Sequence, residues 1–162
     1  MTRTVAHEIL KVPMKYYQTD NCRVNKHMQH DDHLIVALSL ALDMSYKDTF
    51  NELLLKANEH YCYPHLQVVI EAYLRGKGWM YNPRPHTDTK RRVRLVDWFD
   101  APNVAVVKAQ YGNYSHWVAI VDGIVHGTLA VDIPVMKYHA CGYWTPMLAG
   151  MKNNKESGDG AT

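Results

Sequence analysis

The chain has 162 residues, of which 47% are hydrophobic and 21% are charged, so it carries enough apolar material for the core of one domain. Eighteen basic residues against sixteen acidic ones leave a net charge of +2, which gives no overall field towards nucleic acid or a membrane surface. Three cysteines cannot all pair within one chain, and the N-terminal residues lack the apolar core of a signal peptide. We therefore expect a soluble protein made in the cytoplasm, with one domain over residues 1–150 and a flexible tail over residues 151–162.

The first half of the chain has the pattern of three helices. A continuous apolar run rich in Ala and Leu covers residues 33–42, and apolar residues recur at helical spacing over residues 46–57 and 65–75. The first of these segments is almost continuously apolar and follows the acidic pair Asp31 and Asp32, which is typical of a buried helix with capping residues at its start. Ser45 is the expected N-cap of the second helix, and Gly76-Lys77-Gly78 ends the third. The apolar first segment is expected to be the central helix.

The second half has the pattern of an antiparallel sheet. Segments rich in β-forming residues cover 103–109, 116–121 and 123–126. The last two are joined at Asp122-Gly123, the strongest hairpin signal in the chain. An extended segment is predicted to begin at Trp79. Pro83 and Pro85 are expected to exclude regular structure after it, and a short helix is predicted over residues 95–99. The fold class is thus predicted as α+β, with N-terminal helices packed on a C-terminal antiparallel sheet.

Four fragments fall in a recognisable order along residues 30–130. They are Asp32-His33-Leu34-Ile35-Val36-Ala37-Leu38, Ser45-Tyr46, Gly78-Trp79 and His116-Trp117-Val118-Ala119-Ile120-Val121-Asp122-Gly123. In this order they resemble the papain-like cysteine peptidases, in particular small phage and viral proteins of that group. The resemblance implies a papain-like fold in which the residue that opens the central helix and a histidine on the sheet lie close together.

The residue at the nucleophile position departs from that pattern. The family has a cysteine there, because unpaired N–H groups and the helix dipole stabilise a thiolate, but this chain has His33. His116 corresponds to the catalytic histidine, whereas the orienting aspartate of the family would fall at Gly127. The resemblance therefore implies a catalytically inactive scaffold that works as a structural or interaction protein, in a phage particle or on a host partner. We expect a protein partner or self-assembly, and no cofactor.

Two other chemistries remain open from the residues. The chain could be a thiol hydrolase if the loop carrying Cys22 folds back towards His116 and Asp132 replaces the missing carboxylate. It could instead bind a metal, because His27, His30 and His33 lie within seven residues of one another.

Two segments are candidates for contact with partners. Residues 136–147 are apolar and aromatic without clear periodicity, and we predict a contact arm beyond the sheet. The basic stretch Lys90, Arg91, Arg92 and Arg94 could touch phosphate, although four cations on one loop are more often a solvated face.

Overall fold

The fold is taken from a computed structural model that describes residues 15–18, 32–64, 66–83, 85, 91–127 and 137–147, with the backbone alone for residues 15–18. The predicted tail over residues 151–162 and the residue Asp31 lie outside the described residues. Within them the protein is α+β, and the helices pack on the sheet.

Three α-helices occupy the first half of the described chain, as predicted. They are α1 His33–Ala41, α2 Tyr46–Glu59 and α3 Gln67–Gly76. Ser45 caps α2, because its Oγ accepts a hydrogen bond of 3.0 Å from the backbone N–H of Asp48. Asp32 stands at the N-cap position of α1, but its side chain makes no cap hydrogen bond, so the prediction of a carboxylate cap is wrong for this residue.

In the described part of the chain, six strands form one sheet. They are β1 Lys15–Gln18, β2 Trp79–Pro83, β3 Val104–Tyr111, β4 Tyr114–Val121, β5 Ile124–Gly127 and β6 His139–Pro146, in the spatial order β1-β5-β4-β3-β6-β2. Five strands pair antiparallel, and β1 adds to the edge of β5 in the parallel direction. The hairpin at Asp122-Gly123 is confirmed. Both turn residues have positive φ, 53° and 72°, as a two-residue turn between twisted strands requires.

Two predictions for the second half are wrong. Residues 136–147 were expected to form a contact arm, but His139–Pro146 is β6, an interior strand between β3 and β2. Its side chains alternate between buried and partly exposed positions, and Trp144 is fully buried. Pro83 was expected to exclude regular structure but ends β2, where an edge strand tolerates a missing N–H. The helix predicted over residues 95–99 is a 3₁₀ turn, Leu95–Asp97.

Apolar side chains cover both faces of the sheet. On one face α1 packs on β4, with Leu38, Trp117 and Trp144 fully or nearly fully buried in the shared core. On the other face the segment that contains Leu95 and Trp98 covers the sheet. The middle of the sheet is therefore buried on both sides. The helix α1 lies against β4 on one of these sides.

Candidate functional site

His33 is the first residue of α1, and its ring links the helix to the sheet. Its Nδ1 accepts a hydrogen bond of 3.0 Å from the backbone N–H of Trp117 in β4. Among the described residues, the last pair between β4 and β5 is Val118 opposite Gly127, and Trp117 is the next residue along β4. The imidazole thus gives this buried backbone N–H an acceptor.

This hydrogen bond fixes the protonation state of His33. A backbone amide can only donate, so Nδ1 carries no proton and the proton of the ring is on Nε2. A protonated Nδ1 would place two donors against each other, and the positive end of the helix dipole also disfavours an imidazolium there. His33 is therefore held as a neutral ring with one nitrogen engaged by the backbone.

His116 lies beside His33, as predicted from the order of the sequence fragments. The two ring centroids are 5.1 Å apart with an angle of 61° between the planes, an edge-to-face contact. The ring of Tyr138 lies on another side of His116, with centroids 5.9 Å apart. Burial lowers the pKa of His116, and its buried Nδ1 has no hydrogen-bond partner among the described residues. His116 is therefore also neutral near pH 7.

Asp32 brings a carboxylate to the same place. It precedes His33 directly, and only 2% of its surface is exposed. The N-terminus of a helix stabilises a negative charge, which gives a physical reason for an acid at this position although its side chain does not cap the helix.

Gly127 occupies the position where the orienting aspartate of the resemblance would stand. A Cβ built on Gly127 would lie 2.8 Å from Cγ1 of Val118 and 3.3 Å from its Cβ. Val118 is fully buried in the core on the face of the sheet opposite the helices, so it has little room to move away. A side chain at position 127 is therefore opposed by the packing of the neighbouring strand.

Most of the other site residues proposed from the sequence lie in parts of the chain that the structure does not describe. Cys22, Asp132, His27, His30 and Lys90 lie outside the described residues. In the part of the chain that the structure describes, no group of three or more His, Cys, Asp or Glu side chains could hold a metal ion.

The described basic residues do not form one patch of free cations. Arg91, Arg92 and Arg94 are exposed, and Arg94 forms an ion pair with Asp97 one helical turn away. Such an exposed pair contributes little to stability and reduces the positive charge that this loop offers to phosphate.

Sequence reasoning missed a pocket of about 400 Å³ near this site. Its polar lining includes Tyr81, Lys108, Gln110 and Cys141, and the nearly buried Trp117 also lines it. These residues come from β2, β3, β4 and β6, so no local motif could group them; the only signal in the sequence is the polar end of β3 at Lys108 and Gln110.

No family model, no curated protein and no solved structure matches this chain. Among the described helices, none is long and apolar enough to cross a membrane. The chemistry available at α1 and β4 is that of two neutral imidazoles and a buried carboxylate. Neutral imidazole can accept a proton, but acyl transfer also requires a nucleophile, and residue 33 does not provide a thiol.

Proposed function

We propose that this chain is a catalytically inactive papain-like domain that serves as a structural or interaction protein. The observation that carries the proposal is the hydrogen bond from the Trp117 N–H to His33 Nδ1. In the peptidases that the sequence resembles, the residue at this position attacks the substrate. Here its ring is used to join the first helix to the sheet.

The closed position at Gly127 supports the same proposal. An imidazole base needs a third group that holds its tautomer and orientation, and loss of that group costs orders of magnitude in rate. Val118 fills the space where such a side chain would begin. The core on the face opposite the helices is therefore packed as expected for a scaffold that has no orienting residue. A place in a phage particle, with a protein partner or self-assembly, is the setting that the sequence resemblance implies.

The proposal is tested by separating a structural role of the two histidines from a catalytic one. The full chain and the variants His33→Ala, His116→Ala and Cys22→Ala are treated with a thiol-directed probe and with peptide, ester and amide substrates. We expect no turnover by the unmodified chain, and probe labelling that His116→Ala leaves unchanged. We also expect His33→Ala to lower the free energy of unfolding by about 1–3 kcal/mol, because the Trp117 N–H loses its acceptor.

The exposed histidine His60 provides the matched control, since His60→Ala removes an imidazole that no core residue needs. Rapid labelling of Cys22 that is lost in a folded His116→Ala variant would show a working thiol–imidazole pair. That result would replace the proposal with the thiol hydrolase alternative.

A further inference from the structure

The pocket of about 400 Å³ lies on the face of the sheet that carries the helices. Val106 belongs to the core under the helices, and Lys108 and Gln110 follow it at two-residue spacing on β3, so they project from the same face. Gln67, the first residue of α3, lies at the rim. The volume is within the range of pockets that bind small molecules.

A β-bulge shapes the floor of the pocket. β3 and β6 pair at Val107↔Tyr143 and again at Ala109↔Ala140, so Lys108 stands opposite two residues, Cys141 and Gly142. Gly142 has a φ of 147°, and a Cβ built there would overlap the hydroxyl oxygen of Tyr81. The missing side chain therefore leaves room for the phenol, and the Tyr81 ring is further held edge-to-face on Trp144 at 5.4 Å.

Some polar groups of the pocket are hydrogen-bonded within the described part of the protein, and others are not. Cys141 donates to the amide oxygen of Gln110, whose nitrogen donates to the carbonyl of Gly112, so these groups are engaged within the protein. In contrast, the ammonium of Lys108 and the hydroxyl of Tyr81 make no hydrogen bond or ion pair within the described residues. No acidic side chain lines the pocket. Lys108 and Tyr81 are both exposed, so one cation and one hydroxyl line this pocket without a partner among the described residues.

We propose that this pocket binds the carboxylate of a ligand that has an apolar body. The Lys108 ammonium and the Tyr81 hydroxyl donate to the carboxylate oxygens, and the Trp117 indole contacts the apolar part. A carboxylate carries a single negative charge, which matches the single cation of the pocket, whereas a phosphate dianion would leave one charge without compensation. This ligand class goes beyond the proposed function and does not depend on whether the chain is catalytically inert.

The test is a two-dimensional NMR titration that follows the indole N–H signals. The small acid 3-phenylpropionate is compared with its neutral amide, and the peptide N-acetyl-Gly-Phe is compared with its C-terminal amide. We expect saturable shifts of the Trp117 signal with the acids and none with the amides. The relative affinities of the two acids show whether a free acid or a peptide C-terminus fits better.

Two variants assign the donors. Lys108→Met should weaken binding of the acid about tenfold or more, because a hydrogen bond between charged groups is lost, and Tyr81→Phe should weaken it by a smaller factor. Lys47→Met, at an exposed position on α2, is the matched control and should leave the affinity unchanged.

Three results would overturn the proposal. They are equal binding of acid and amide, unchanged affinity in Lys108→Met, and no shift at a ligand concentration of about 10 mM, which exceeds even weak dissociation constants. Saturable binding of inorganic phosphate in place of the acids would also contradict it. None of these results affects the thiol-labelling test of the histidines, so failure of this proposal and failure of the proposed function are distinguishable.

Discussion

His33 lies where the backbone N–H groups of a helix start and of a strand both need acceptors, and its side chain serves one of them. A helix N-terminus has N–H groups that need acceptors, and Trp117 of β4 also has a backbone N–H to be paired. The imidazole satisfies the second of these with Nδ1. A cysteine at the same position would have a shorter side chain with a weaker acceptor, so the exchange of cysteine for histidine changes both the chemistry and the link between helix and sheet.

Gly127 should be intolerant of any side chain. Gly127→Ala is expected to lower the free energy of unfolding by about 1–3 kcal/mol, because the new methyl group would overlap Cγ1 of Val118. Gly76→Ala is the matched control: a Cβ there meets nothing within 4 Å, so stability should be unchanged or slightly raised. Denaturant unfolding measures both variants.

A second substitution tests the cause of the Gly127 effect. Val118→Ala removes Cγ1, so Gly127→Ala should cost less in the Val118→Ala background than in the unmodified chain. Equal costs in the two backgrounds would show that the contact with Val118 is not what excludes a side chain at position 127.

His116 should make the protein less stable in mild acid. Burial lowers its pKa in the folded state below the ordinary value of 6.5, so the unfolded chain binds the proton more readily. The contribution of His116 to the free energy of unfolding should therefore be constant well above pH 6.5, fall as the pH drops through 6.5, and level off below the folded pKa. The slope from one such group cannot exceed about 1.4 kcal/mol per pH unit.

The variant His116→Gln should reduce this slope, and His126→Gln should do so too, because burial lowers the pKa of His126 in the same direction. The exposed residue His60 supplies the control variant, His60→Gln. Denaturant unfolding between about pH 5 and pH 7.5 spans the ordinary histidine pKa. Stability curves that stay parallel to that of the unmodified chain in both variants would contradict the prediction.

Among the secondary-structure elements, the sequence pattern predicted α1 correctly but did not reveal the strand β6. α1 was predicted from its continuous apolar run, and seven of its residues are buried. β6 was missed because two of its three buried positions are Ala140 and Gly142, which give almost no apolar signal. The bulge at Cys141 and Gly142 also places Ala140 and Trp144 in the cores on opposite faces, so the alternating buried positions of β6 do not share one face.

The N-terminus of α1 should activate a thiol. In a chain without its native cysteines, His33→Cys should give a thiol whose pKa lies below the usual value of about 8.5, because unpaired N–H groups and the neighbouring imidazole of His116 favour the thiolate. Iodoacetamide labelling as a function of pH measures this pKa. Peptidase turnover should still be absent, because Gly127 cannot orient the base.

The control for this variant is His60→Cys in the same background, since residue 60 follows the C-terminus of α2, where the helix dipole disfavours a thiolate. If both thiols label with a pKa near 8.5, residue 33 does not occupy a nucleophile position, and the papain-like interpretation loses its main support.

At the scale of the whole molecule, the sheet joins two cores. Neighbouring residues of β3 and β4 point alternately into the core under the helices and into the core on the opposite face, as Val106 and Val107 do. Loss of packing on one face therefore loosens strands that the other face needs, so the described part of the chain should unfold as one cooperative unit.

Leu38→Ala in α1 and Leu95→Ala in the 3₁₀ turn test this coupling from the two faces. Both leucines are fully buried, and each variant should lose about 2–5 kcal/mol in a single transition that fluorescence and circular dichroism report identically. Leu55→Ala, at a largely exposed position of α2, should change the free energy of unfolding by less than about 0.5 kcal/mol. Separate transitions for the two core variants would show two independent units.

The sequence by itself determined the features that depend on neighbours along the chain. A continuous apolar run located α1, and apolar spacing located α2 and α3. Ser45 marked the cap of α2, and Asp122-Gly123 marked the turn between β4 and β5, because each signal is local in the chain. Only the tertiary structure decided the contacts between distant segments. The Trp117 N–H reaches His33 across 84 positions, Val118 closes the space at Gly127, and Lys108 and Tyr81 line one pocket although they lie on separate strands. Such contacts follow from strand register and packing, which no local pattern encodes.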